Sequence, residues 1–167
     1  MTTEHVIKTI ATSMGLTYSL GTLFQLNQAL DKIIRKKEYP VCLQVQTTDG
    51  SFSTEVTQYY DRIHETQRIR LIFADAIKFD YEPEKILGKV DNLKRQGIQL
   101  MKHLNGTGFF DTVTDVTYSI MYDRFDANLV AVLFEFSLTE AKGICIDEMD
   151  DGAFNSDFDA SFNRKKL

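Results

Sequence analysis

The stretch from Val116 to Ile146 constrains the fold more than any other part of the chain. In its first arm Val116, Tyr118, Ile120 and Tyr122 share one face, and Thr117 and Ser119 share the other. In its second arm Val130, Val132, Phe134, Phe136 and Leu138 alternate with Leu129, Ala131, Leu133, Glu135 and Ser137. Period-two alternation of β-branched and aromatic residues is the pattern of half-buried strands. Between the arms, Asp123-Arg124-Phe125-Asp126-Ala127-Asn128 supplies turn chemistry, because Asp and Asn side chains bond nearby backbone groups. The reading is a long antiparallel hairpin whose apolar face needs a helix or a second sheet over it.

The natural cover lies just upstream. From about Glu84 to Leu104, a continuous stripe of Ile86, Val90, Leu93, Gly97, Leu100, Met101 and Leu104 recurs at helical spacing. Asp80, Glu82 and Glu84 with Pro83 suit the first turn of that helix. Gly97 falls on the stripe, where helix and sheet backbones can come close. Asn105-Gly106-Thr107-Gly108 follows a helix instead of leading into one, so it reads as a stop and not as a phosphate cradle.

Two further helices are expected near the N-terminus. Val6, Ile7, Ile10 and Met14 line the first, which Gly15 ends. Leu23, Leu26, Leu30, Ile33 and Ile34 line the second, closed by Tyr39-Pro40. Residues 15–21 read as a connection. Val41 to Gln46 and Arg68 to Ile77 read as strands, while 51–67 is either an extended arm or a strand pair. The order predicts an α+β fold: a mainly antiparallel sheet with a long hairpin packed against one or two helices.

A net charge of −5 argues against broad electrostatic capture of nucleic acid, and no sequence-specific DNA or RNA binding is expected. No apolar run approaches the roughly 18 residues of a membrane helix, and the first residues lack the order of a secretory signal. Cys42 and Cys145 read as two buried thiols in a reducing cytoplasm, in preference to a disulfide or a ligand pair.

From Asp147 the composition changes, and the expected organisation is one domain over 1–146 and an acidic tail or interaction segment over 147–167. Phe154, Phe158 and Phe162 recur at i, i+4 and i+8, which would align three rings along a short helix. The segment is either a loose terminus or a piece that folds onto a neighbouring subunit.

Motifs of catalysis are scarce. His5, His64 and His103 are scattered and make no zinc spacing, and no nucleophile elbow is present. Asp157 to Phe162 begins a calcium-loop pattern, then places Phe162 where Gly belongs. No catalytic residue, metal or cofactor is therefore expected. Asp75, Asp80 and Glu82 form a nuclease-like carboxylate set, equally well explained as the end of a strand and the start of a helix.

The layout resembles the tail-terminator and neck proteins of tailed bacteriophages, particularly those of Bacteroides-type hosts. The similarity is carried by Tyr39-Pro40-Val41-Cys42-Leu43, by the run from Ile69 to Asp80 into the long helix, and by Tyr122 to Val132 ending in Gly143-Ile144-Cys145-Ile146. It covers residues 20–146. The resemblance implies a non-enzymatic ring subunit, a hexamer or dodecamer, between the portal-side complex and the tail, with DNA passing through it. It implies a virion protein made in the bacterial host's cytoplasm, with neighbouring neck, portal and tail proteins as partners. The acidic Phe-bearing segment is not part of the family pattern. The hairpin's second face, with Leu129, Ala131 and Leu133, has apolar surface to spare, and candidate interface residues are Asp123, Arg124, Phe125 and Asp126 at the hairpin tip, Leu129 and Leu133 on that face, and Phe154, Phe158 and Phe162. The alternative is a small dimeric ligand-binding or regulatory α+β domain.

Overall fold

The structure, a computed structural model, describes residues 2–36, 38–46, 49–56, 61–77, 82–122, 128–142 and 144–145. The hairpin tip at Asp123 to Asp126 and the segment carrying Phe154, Phe158 and Phe162 lie outside them, as does Asp80.

The chain forms α1 (Thr3–Ser13), β1 (Thr17–Gly21), α2 (Leu23–Lys36), β2 (Val41–Val45), β3 (Gly50–Val56) and β4 (Asp61–Ala76). Then follow α3 (Pro83–Gly106), β5 (Val116–Tyr122), β6 (Leu129–Thr139) and β7 (Ile144–Cys145). The strands make one sheet in the order β1-β2-β4-β6-β5, with β3 and β7 also paired to β4. All pairings are antiparallel except β1 with β2. The fold is α+β.

The hairpin is β5–β6, in register from Val116↔Phe136 to Tyr122↔Val130. On one face of the sheet, α1 and α3 bury Ile7, Leu93, Leu100 and Leu104 against Ile69, Leu71, Phe73, Val130, Val132 and Phe134. The expected stripe of α3 is the buried one, from Val90 to Leu104. Gly97 meets the ring of Phe134, which stands edge-on to Phe73 at 5.5 Å between centroids.

Helices occupy both faces of the sheet, one more layer than a single cover for the hairpin requires. On the second face α2 sets Leu26, Leu30 and Ile33 on Val41, Leu43, Ile72, Ala74, Leu129 and Ala131. This corrects the expectation of a spare apolar face on β6: Leu129 and Ala131 are buried because α2 lies over them. Placement of α2 follows from β1, which sequence reading took for a connection. β1 and β2 are parallel neighbours, so the chain between them must cross a face of the sheet, and α2 is that crossover. Thr22 and Gln25 start it as a reciprocal cap: the Thr22 N–H donates to Gln25 Oε1 at 2.9 Å, and the Gln25 N–H to Thr22 Oγ1 at 3.4 Å.

β4 is the longest strand. Its 16 residues extend about 54 Å, longer than β2 or β6 can match. Of the two readings of residues 51–67, the strand pair is the observed one: β3 pairs with the first part of β4, from Gly50↔Gln67 to Val56↔Asp61. β3 is exposed along its whole length. We refer to this pair as the arm. On the other side of β4, β7 pairs Ile144 with Ile63 and Cys145 with Arg62.

Candidate functional site

α2 covers only part of the second face. Its first turn stands off the sheet, leaving Leu23 62% and Phe24 72% exposed, although Leu23 lies on the stripe expected to be buried. Between that turn and the strands runs an open groove of about 550 Å³. Leu23, Phe24 and Asn27 form one wall, with Val45 of β2 opposite. Ile72, Met121 and Leu133 contribute from β4, β5 and β6. Alternation brings these side chains to one face: Val45, Ile72 and Leu133 all belong to the α2 side of the sheet, the side opposite Phe73 and Phe134.

Charge is confined to one end, where Arg70 and Glu135 complete the lining. The Arg70 Nε–H donates to Glu135 Oε1 at 3.1 Å, and Arg68 approaches the same oxygen at 3.7 Å. Arg70 also faces Asp49 at 3.9 Å. The groove therefore offers apolar area with a cationic and anionic edge, suited to holding apolar side chains of a polypeptide or a small amphipathic molecule. None of the groove residues is a Ser, Cys or His nucleophile or base.

Among the described residues, two strands also carry exposed apolar side chains in groups. The arm carries Phe52 at 74% and Val56 at 72% exposure on a strand paired along one edge to β4. At the far side of the sheet, β5 exposes Val116, Tyr118 and Tyr122, because α3 is centred on β4 and β6 and covers the last strand only in part, at Ile120. Lys94 of α3 lies 4.9 Å above the Tyr118 ring, a cation–π contact that shields part of it.

His64, on the arm, has Nδ1 2.9 Å from the Glu140 carbonyl oxygen and Nε2 3.4 Å from Glu55 Oε2. The backbone carbonyl, then Glu55, raises its pKa. Cys42 is a free thiol wholly inside the core, pushed up to about 12 by burial. Tyr18 donates to Gln44 Oε1 at 2.7 Å and is itself shifted upward, chiefly by burial. Asp75 is tied to Lys89 at 2.6 Å, and Glu82 is the residue at the N-cap of α3, 3.8 Å from Lys85. Asp80, the third member of the nuclease-like set, lies outside the described residues. Among the described residues no group of three or more His, Cys, Asp or Glu stands close enough to hold a metal ion, and no helix is long and apolar enough to cross a membrane.

Of the candidate interface residues, Leu133 lines the groove and Leu129 is buried beneath α2. The others lie outside the described residues. Sequence reading missed Leu23, Phe24, Met121 and Phe52 as surface features. Helical periodicity assigned Leu23 to the core, and its 62% exposure follows from how the first turn of α2 sits against the strands, which the periodicity does not carry. No family model and no curated protein matches this chain.

Proposed function

We propose that this chain is a non-enzymatic structural subunit of an oligomeric ring in the neck or tail of a tailed bacteriophage. In that reading it is a tail terminator or head-tail connector that joins the portal-side complex to the tail and lines the DNA passage. It is made in the host cytoplasm and resides in the virion. The observation that carries the reading is the arm. A small domain has no need, for its own stability, to extend a strand pair bearing exposed Phe52 and Val56 beyond its core. Exposed apolar residues on a projecting element support an interface, and the β5 edge offers an unlike surface on the opposite side of the sheet. Contacts between unlike surfaces of identical subunits are head-to-tail, and such contacts make a ring where the rotation between subunits closes and a filament where it does not. A hexamer or dodecamer is the stoichiometry proposed. The net charge of −5 suits a passage through which DNA slides without adhering.

The test is direct. Negative-stain images and light scattering of the purified chain, alone and mixed with connector complexes, are expected to show rings or incorporation into a larger ring. A monodisperse monomer that never joins connectors or virions overturns the reading.

A second reading, a dimeric ligand-binding or regulatory domain, draws on the groove beside α2, whose volume falls within the range of small-molecule sites. It requires a thermal shift with a small amphipathic ligand and a dimer in solution.

A further inference from the structure

We infer that the groove beside α2 receives residues 147–167 of a neighbouring copy of this chain, with Phe154, Phe158 and Phe162 as the seated side chains. This deepens the ring reading and rests on it. On its sheet side the groove is lined by Ile72, Met121 and Leu133, and its wall presents Leu23 and Phe24 to solvent. Three rings at i, i+4 and i+8 form one stripe about 12 Å long when helical, which is the way an amphipathic helix enters a groove. Charge agrees with that orientation. Asp157 and Asp159 flank the middle ring in sequence, and Arg68 and Arg70 stand at the groove's polar end with side chains 56% and 40% exposed. Arg70 keeps its Nε–H on Glu135 at 3.1 Å, while its Nη2 meets Asp49 only at 3.9 Å, so an incoming carboxylate competes with Asp49 for that Nη2.

The course of the chain selects the neighbour. β7 continues in the direction of β6 and pairs with Arg62 and Ile63, near the free end of the arm. At Cys145 the chain is thus heading away from its own groove. Ile63 and Ile72 are about 30 Å apart along β4. The nine residues from Cys145 to Phe154 span about 30 Å only when fully extended, so a return to the same subunit uses all of that length and a reversal of direction. A neighbour seated beyond the arm, on the side toward which β7 runs, receives the segment without that reversal.

The experiment uses the full chain in three forms: unaltered, with Phe154→Ala, Phe158→Ala and Phe162→Ala together, and that triple variant with Leu23→Asp and Phe24→Asp added. Leu23 and Phe24 are exposed, so their replacement leaves the core intact. Oligomeric state is read by light scattering, and binding of a fluorescein-labelled 147–167 peptide by anisotropy. The triple variant is expected to lose the assemblies of the unaltered chain and to bind the peptide saturably. The added Asp pair is expected to weaken that binding at least tenfold. Rings that form equally well in the triple variant overturn this inference and leave the ring reading standing. Peptide binding to the triple variant, with an unaltered chain that is a monomer closed to the peptide, means the segment sits in its own groove and overturns delivery to a neighbour. No peptide binding by the triple variant overturns the groove as the seat.

Discussion

Gly97 of α3 lies so close to Phe134 of β6 that a Cβ placed on it would stand 2.3 Å from two carbons of the ring. The ring cannot simply swing aside, since it is buried and stacked edge-on against Phe73. Glycine at this point sets how near the long helix approaches the sheet. Gly97→Ala is accordingly expected to destabilise the fold by about 1–2 kcal/mol, an overpacking cost reduced by alanine's better helix propensity. Urea denaturation measures it. In a Phe134→Leu background, where the space is open, the same change should be neutral or stabilising. A silent Gly97→Ala in the unaltered chain contradicts the close approach.

His64 ties the arm to the loop after β6 through the Glu140 carbonyl, and that carbonyl and Glu55 raise its pKa. A histidine with a folded pKa above its unfolded value of about 6.5 adds stability that is full below the unfolded pKa and fades as pH rises through the folded one. The arm should therefore be held more firmly at pH 5.5 than at pH 8. Hydrogen-exchange protection factors at the Glu65 and Glu140 amides read this locally, and the difference between the two pH values should shrink in His64→Asn. Equal pH dependence in both proteins rules the histidine out as the source.

Cys42 makes a chemical probe of the same core. Its thiol is fully buried and its pKa pushed up to about 12, so neither access nor thiolate is present at neutral pH. In a Cys145→Ser variant, alkylation of Cys42 is expected to proceed only at the rate of unfolding and to become rapid in denaturant. Fast labelling of the native protein contradicts the placement of β2 inside the sheet.

The sequence made the α3 stripe and the β5–β6 hairpin readable because both follow a single strong period. Val90 to Leu104 repeat at helical spacing, and Val130 to Leu138 alternate. β1 was not readable that way: Thr17 to Gly21 alternate, but over five residues with only Tyr18 and Leu20 apolar, and their strand character depends on pairing with Val41 to Val45. The error at Leu129 and Ala131 followed from it, because α2 crosses that face only as the link between two parallel strands. The arm lay at the limit of legibility. Ser51, Ser53 and Glu55 alternate with Phe52, Thr54 and Val56, but every one is exposed, so the pattern lacks the apolar weight that marks a strand. The groove was invisible for a different reason: it is assembled from α2 and several strands that are far apart in sequence.

Two residues of α2, Leu30 and Phe24, test the division of that helix into a buried part and a free first turn. Leu30 is 1% exposed and packed among Leu43, Ile72 and Leu129, so Leu30→Ala leaves a cavity and should cost about 2–5 kcal/mol. Phe24 is 72% exposed on the groove wall, so Phe24→Ala should fall within about 0.5 kcal/mol of the unaltered chain. Alanine favours helix at both positions, so propensity does not account for the contrast. The comparison is made by urea denaturation at a protein concentration where the chain is monomeric. If assembly then weakens in Phe24→Ala while monomer stability holds, the ring of Phe24 belongs to a surface between subunits. If Phe24→Ala is as costly to the monomer as Leu30→Ala, the first turn of α2 is packed onto the sheet and the groove is closed.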